Sequence, residues 1–168
     1  MSGIADLIHQ WGRVRLYWPH ILWIVLVFIL HVQEWWLIYQ LKDIEVWRLP
    51  AFLFQVLYPI SLFILARILF PMSTDKDVAD MRMFYLNNYR KLFVMVMMLS
   101  SISALENIYI HDLGFEGWIV NAIVFIALLY GCVRKLVTEG MHKFLAIALL
   151  LSMIAGIILN INEWLIAA

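Results

Sequence analysis

The chain reads as an all-α polytopic membrane protein, and three observations carry that reading. Of its 168 residues, 65% are hydrophobic and only 14% charged, more apolar surface than a soluble domain of this size could hide. The apolar residues gather into five stretches, each close to the roughly 20 residues that a helix needs to cross a hydrocarbon core of about 30 Å. Prolines and short polar segments separate the stretches, so each one ends where a helix is expected to stop.

The first span covers about 19–41 and opens on Pro19, at a position where the missing N–H costs nothing. The second covers about 50–70, with Pro50 at its start and Pro71 just past its end. Pro59 falls mid-span and predicts a kink. Spans three to five cover about 91–110, 115–133 and 144–165. Two further segments read as interfacial. In 1–17, Ile4, Leu7, Ile8 and Trp11 recur at helical spacing behind Ser2, with Arg13 and Arg15 following, the pattern of a helix lying among headgroups. In the linker 72–90, Val78, Met81 and Tyr85 mark a second apolar stripe. The whole of 18–168 forms one transmembrane bundle in this reading, and the short links make successive helices antiparallel neighbours. No cleavable signal peptide is expected, because the start is amphipathic rather than a basic tip followed by an apolar run.

Lysine and arginine set the expected orientation. Arg13, Arg15, Lys76, Arg82, Arg90, Lys91, Arg134, Lys135 and Lys143 fall on one face and Arg67 lies near it, while only Lys42 and Arg48 fall on the other. The N-terminus is therefore expected in the cytoplasm and the C-terminus outside. Tyr17, Trp18, Trp35, Trp36, Trp47, Trp118 and Trp164 lie near span ends, as aromatic belts do.

Several chemistries are excluded. Formal net charge is zero, which offers nothing to a nucleic acid. Cys132 is the one cysteine, so no internal disulfide can form. There is no glycine-rich phosphate loop, no Cys-x-x-Cys pair and no nucleophile elbow.

The intramembrane polar residues carry the functional expectation. With the topology above, His31, Glu34, Gln55, Glu106, Asn107, Asn121, Asn160 and Glu163 all fall in the outer half of the membrane, and the inner half reads as a nearly bare apolar plug. His31 and Glu34 are i and i+3 on one helical face. Ser152 and Gly156 form a small-xxx-small pair, which allows close helix approach. His20 and His142 lie near the interfaces and read as surface or belt residues. A buried carboxylate in hydrocarbon must be neutralised by a proton or a cation, and no lysine or arginine shares the depth of Glu34 or Glu106.

Three functions follow from that layer. The first is an oligomeric ion- or proton-conducting protein, with Glu34, His31, Glu106, Asn107, Glu163, Asn160, Gln55 and Asn121 along its path. The second is a non-catalytic membrane subunit in which polar residues only join helices and Met72 to Arg90 docks a cytoplasmic protein. The third is a metal-dependent membrane enzyme, with His31, Glu34, Glu106 and Glu163 as ligands. No dedicated cofactor is expected, although a bound cation or metal is compatible with the first and third. Membrane lipid and further copies of the chain are the expected partners.

The first half resembles a family of small uncharacterised multi-pass membrane proteins from bacterial genomes. The resemblance is carried by Trp18-Pro19-His20-Ile21-Leu22-Trp23, the Trp35-Trp36 pair, Leu57-Tyr58-Pro59, and Ala66-Arg67 with Pro71, over about Trp18 to Phe93. It implies an inner-membrane location and assigns no activity.

Overall fold

The computed structural model describes residues 14–43, 46–71, 79–109, 116–133 and 138–159. Among these residues the chain is helical apart from two short strands. In order they are β1 (Val14–Arg15), α1 (Trp18–Gln40) with a 3-10 turn at Leu41–Asp43, α2 (Leu49–Ile68), β2 (Ala79–Asp80), α3 (Met81–Tyr109), α4 (Glu116–Val133) and α5 (Glu139–Leu159).

Local chemistry sets the helix starts. Tyr17 and Arg48 hold extended backbone immediately before α1 and α2, each with a proline in the first turn, where its ring is already shaped for the helix. Asp80 caps α3: its Oδ1 accepts the backbone N–H of Arg82 at 2.9 Å and of Met83 at 3.1 Å, two donors with no carbonyl behind them.

Three helices are long and apolar enough to cross a membrane, over Trp18–Tyr39, Leu49–Ile68 and Glu139–Ile158. α3 is longer, 29 residues, but its first turns carry Arg82, Asn87, Asn88, Arg90 and Lys91. α4 contributes the shorter apolar stretch Asn121–Val133. Each of the five expected spans thus corresponds to a helix, and three of them meet the length and polarity requirement.

Two boundaries depart from expectation. Residues 81–90, expected in a separate interfacial linker, are continuous with the third span, because Asp80 starts the helix there. Met81 and Tyr85 also turn inward, with 1% and 2% exposure. At about 1.5 Å per residue, α3 is about 43 Å long and exceeds a hydrocarbon core at one end. Val14 and Arg15, expected at the end of an amphipathic helix, are extended and pair in parallel with Ala79 and Asp80. The rest of that expected helix, 1–13, and Val78 lie outside the described residues.

α3 packs most extensively on α4, then α2 on α3, α1 on α5 and α1 on α2. Trp23, Leu62, Leu65, Phe93 and Leu128 form the centre of the core. The closest approach is at Gly131, where an added Cβ would lie 3.0 Å from Phe93 Cε2. At the expected small-residue pair, Ser152 is exposed, and among the described residues a Cβ added at Gly156 would meet nothing within 4 Å. Phe28, Phe63, Val94, Ile126, Phe144 and Leu151 point outward. A bundle with apolar side chains on its outside as well as its inside is suited to lipid rather than water.

Candidate functional site

Two polar clusters occupy opposite ends of the bundle. The first lies toward the α1–α2 turn. Glu34 is six residues before the end of α1 and Gln55 six residues after the start of α2, so the antiparallel pair brings them to the same level, about 9 Å below the turn. Tyr58 follows Gln55 at i+3 on the same face of α2. Glu106 enters from the last turn of α3. Glu34, Glu106 and Tyr58 lie within electrostatic reach of one another. Glu34 on α1 and Glu106 on α3 thus interact electrostatically across the bundle.

This first cluster has unpartnered acceptors. Glu34, Gln55 and Glu106 are buried, and Oε1 of each has no hydrogen-bond partner. Pro59 lies inside α2 and has no N–H, so the Gln55 backbone carbonyl, four residues back, also receives no i+4 helical bond. A carboxylate offers only lone pairs. Two of them brought together in a dry interior require a proton, a cation or water to complete their bonding.

His31 Nδ1–H donates to the Val27 carbonyl at 2.7 Å, a bond within its own helix. Asn121 belongs to a different contact. Ser100 Oγ donates to the Asn121 carbonyl at 2.8 Å, and Asn121 Nδ2 donates to Ser103 Oγ at 3.4 Å, which joins α3 to α4 in the manner of helix-packing polar residues. Beside it lies a cavity of about 300 Å³ lined by Ser100, Ser101, Ala104, Asn121, Phe125 and their neighbours. Asn160, Glu163 and the side chain of Asn107 lie outside the described residues. Among the described residues, no group of three or more His, Cys, Asp and Glu could hold a metal ion. Of the four expected ligands, His31, Glu34 and Glu106 form no such group, and Glu163 lies outside the described residues.

The second cluster lies at the opposite end, which carries Arg67, Arg82, Arg90, Lys91 and Lys143. The sequence reading left this half nearly bare and placed His20 and His142 at the surface. Both are core residues, 2% and 1% exposed. His20 Nε2–H donates to the Leu69 carbonyl at 2.8 Å. Leu69 caps α2 at its C-terminal end, where carbonyls lack helical donors, so the histidine supplies the missing bond. Trp23 Nε1–H donates to Tyr85 Oη at 3.2 Å, and Tyr85 Oη lies 3.2 Å from His142 Nδ1. Tyr85 Oη thus accepts from Trp23 and shares a second hydrogen bond with His142 Nδ1, linking α1, α3 and α5. Tyr89 and Phe93 stack against the His142 ring, with centroids 4.6 and 5.9 Å away.

A charged rim closes that end. Arg82 Nη2 meets Glu139 Oε2 at 2.8 Å and Lys143 Nζ meets Glu139 Oε1 at 3.1 Å. Tyr17 Oη donates to the same carboxylate at 3.4 Å. Burial, followed by the Glu139 charge, holds the Tyr17 phenol above its ordinary value, so it keeps its proton as a donor. The rim ties the starts of α1, α3 and α5 together. A signal for this cluster existed in the sequence, since Tyr85, Tyr89 and Phe93 recur at i, i+4 and i+8, one stripe of a helix.

Between the clusters runs an apolar layer. Leu26, Val27, Leu62, Leu65, Val96 and Leu99 are all buried. Glu34 lies 14 residues beyond His20 on α1, about 21 Å along the axis. No family model, curated protein or solved structure matches the chain.

Proposed function

We propose that the chain is a multi-pass inner-membrane protein that moves protons or small cations, using the Glu34–Glu106 pair as its ion-binding station. The observation that carries this reading is the meeting of two carboxylates from different helices beside Tyr58, buried and with Oε1 of each unpartnered. Their charge needs compensation from outside the protein, and a group that must borrow a proton or cation can also release it. The apolar layer beneath them makes this a gated path, closed toward the opposite end in this conformation. All five helices cross the membrane in this proposal, with the basic end in the cytoplasm, the carboxylates near the outer leaflet and α3 projecting its first turns inward.

Five helices enclose little space, so the conducting form is an assembly of several copies. Ser152 is exposed on α5, and its small-xxx-small spacing with Gly156 suits a contact between copies. The alternative, a non-catalytic subunit that docks a cytoplasmic protein through 72–90, draws support from Asn121, Ser100 and Ser103 acting as helix glue. It is weakened by the burial of Met81 and Tyr85, which removes the apolar stripe from that surface. A metal enzyme ranks third, since the described residues gather no ligand trio.

Reconstitution into liposomes tests the proposal directly. Purified protein should dissipate an imposed proton or cation gradient, and Glu34→Gln and Glu106→Gln should each reduce flux by about tenfold or more while helicity and elution volume hold, as loss of an acidic station in a pathway requires. Flux unaffected in the double variant ends the transport reading and favours the subunit one.

A further inference from the structure

We propose that His20 forms a second proton-binding site at the basic end of the bundle, taking up a proton on Nδ1 from a water held beside it. The proposal goes beyond the carboxylate pair and does not depend on it, because its groups are separate and its readout is the imidazole itself.

The geometry fixes which nitrogen is involved. A carbonyl oxygen only accepts, so the 2.8 Å contact with Leu69 places a hydrogen on His20 Nε2 and leaves Nδ1 of the neutral ring with a lone pair. That nitrogen is buried with no hydrogen-bond partner, a state that costs free energy unless something fills it. The ring lines a cavity of about 10 Å³, together with Leu69, Phe84, Tyr85, Asn88 and Tyr89. This is close to the smallest space that holds one water, about 10–15 Å³. The wall is mostly apolar, with Asn88 as its one amide side chain, whose Nδ2 donates to the Phe84 carbonyl and whose Oδ1 accepts from Lys91 Nζ.

Proton uptake balances simply. A hydronium arriving from the cytoplasmic side loses one O–H bond as the Nδ1–H bond forms, leaving a neutral water in the cavity and an imidazolium whose Nε2–H stays on Leu69. The groups around it decide whether the charge is tolerated. Arg67 on α2 and Arg82 on α3 are cationic, and Tyr17, Tyr85 and Tyr89 are neutral. His142 on α5 is buried and bonded to Tyr85 through Nδ1. Two carboxylates lie at that end among the described residues: Glu139 is already held by Arg82 and Lys143, and Asp80 accepts the backbone N–H groups of Arg82 and Met83. The imidazolium is thus stabilised by dipoles: the Leu69 carbonyl at the negative end of α2, the cavity water and the face of the Phe84 ring, 5.9 Å away. In the transport reading, the two ionisable sites lie on opposite sides of the apolar layer, each buried toward its own end of the bundle.

Nitrogen-15 NMR of histidine-labelled full-length protein in lipid bilayers reads the site. The His20 ring, assigned by loss of its signals in His20→Gln, should show one N–H in the Nε2 tautomer near neutral pH. It should then gain a second, reversibly, as the pH falls from about 8 to about 4, with a cross-peak to water. Should His20→Gln not fold, replacing His9, His31 and His111 by Gln leaves two ring systems, and Tyr85→Phe then identifies His142 by its shift. A His20 ring that keeps a single N–H over the whole range in which the helices persist overturns the proposal, as does absence of any water contact. In Glu34→Gln, the same titration should continue while flux falls, which separates the two readings.

Discussion

A phenol placed between an indole and an imidazole bonds to both, and Tyr85 is in that position. Removing its hydroxyl leaves the Trp23 N–H without an acceptor and His142 Nδ1 without a partner, both in the core. Leaving such groups unsatisfied costs about 1–3 kcal/mol each, and in Tyr85→Phe the two costs partly overlap because the rings can relax toward each other. The expected outcome is a clear drop in the thermal midpoint in detergent, followed by tryptophan fluorescence. Tyr89→Phe serves as comparison. The Tyr89 ring packs on His142, but its hydroxyl only accepts from Arg90 at 3.3 Å in an exposed contact, so its midpoint should stay near that of the parent. Equal effects of the two substitutions would mean that the Trp23–Tyr85–His142 chain contributes nothing beyond ring packing.

At the scale of helices, Gly131 on α4 and Gly156 on α5 separate contacts within the chain from contacts between chains. Gly131 faces Phe93 so closely that a methyl group must displace the ring, and overpacking of this kind costs about 1–3 kcal/mol. Gly131→Ala should therefore lower stability. Gly156→Ala meets no atom of the described residues within 4 Å and replaces a poor helix former, a gain of up to about 1 kcal/mol, so the isolated chain should be unaffected or slightly more stable. If α5 contacts a second copy there, the same substitution shifts the assembly to smaller species in light scattering. Sequence periodicity pointed to Gly156 and passed over Gly131, because a small residue in an apolar run signals close approach without indicating which neighbour approaches. The helix starts were legible for a firmer reason: Pro19 and Pro50 fix backbone shape locally. Glu34 and Glu106, which interact electrostatically, were already set at one depth by counting residues along the spans. The burial of His20 and His142 was not, because it depends on the orphan carbonyl of Leu69 and on turns of α3 that the polar residues around Tyr85 disguised as a surface linker.

For the whole molecule, the distribution of charge and the direction of the helices make one joint claim. α1, α3 and α5 run one way and α2 and α4 the other, with Glu34 and Glu106 toward the end holding Lys42 and Arg48, and His20 and His142 toward the end holding Arg67, Arg82, Arg90, Lys91 and Lys143. Under the positive-inside tendency, the second end faces the cytoplasm. Single cysteines placed after Cys132→Ser at Val46 and at Thr138, both exposed, probe the two ends in intact cells. A membrane-impermeant thiol reagent should label Val46→Cys from outside and reach Thr138→Cys only after the membrane is opened. The reverse pattern would put the carboxylates toward the cytoplasm and His20 toward the exterior, exchanging the sides of the membrane toward which the two sites lie. Labelling of both positions from outside would mean that the chain between them crosses an even number of times. That outcome would remove at least one of α2, α3 and α4 from the membrane, α4 being the one whose apolar stretch is shortest.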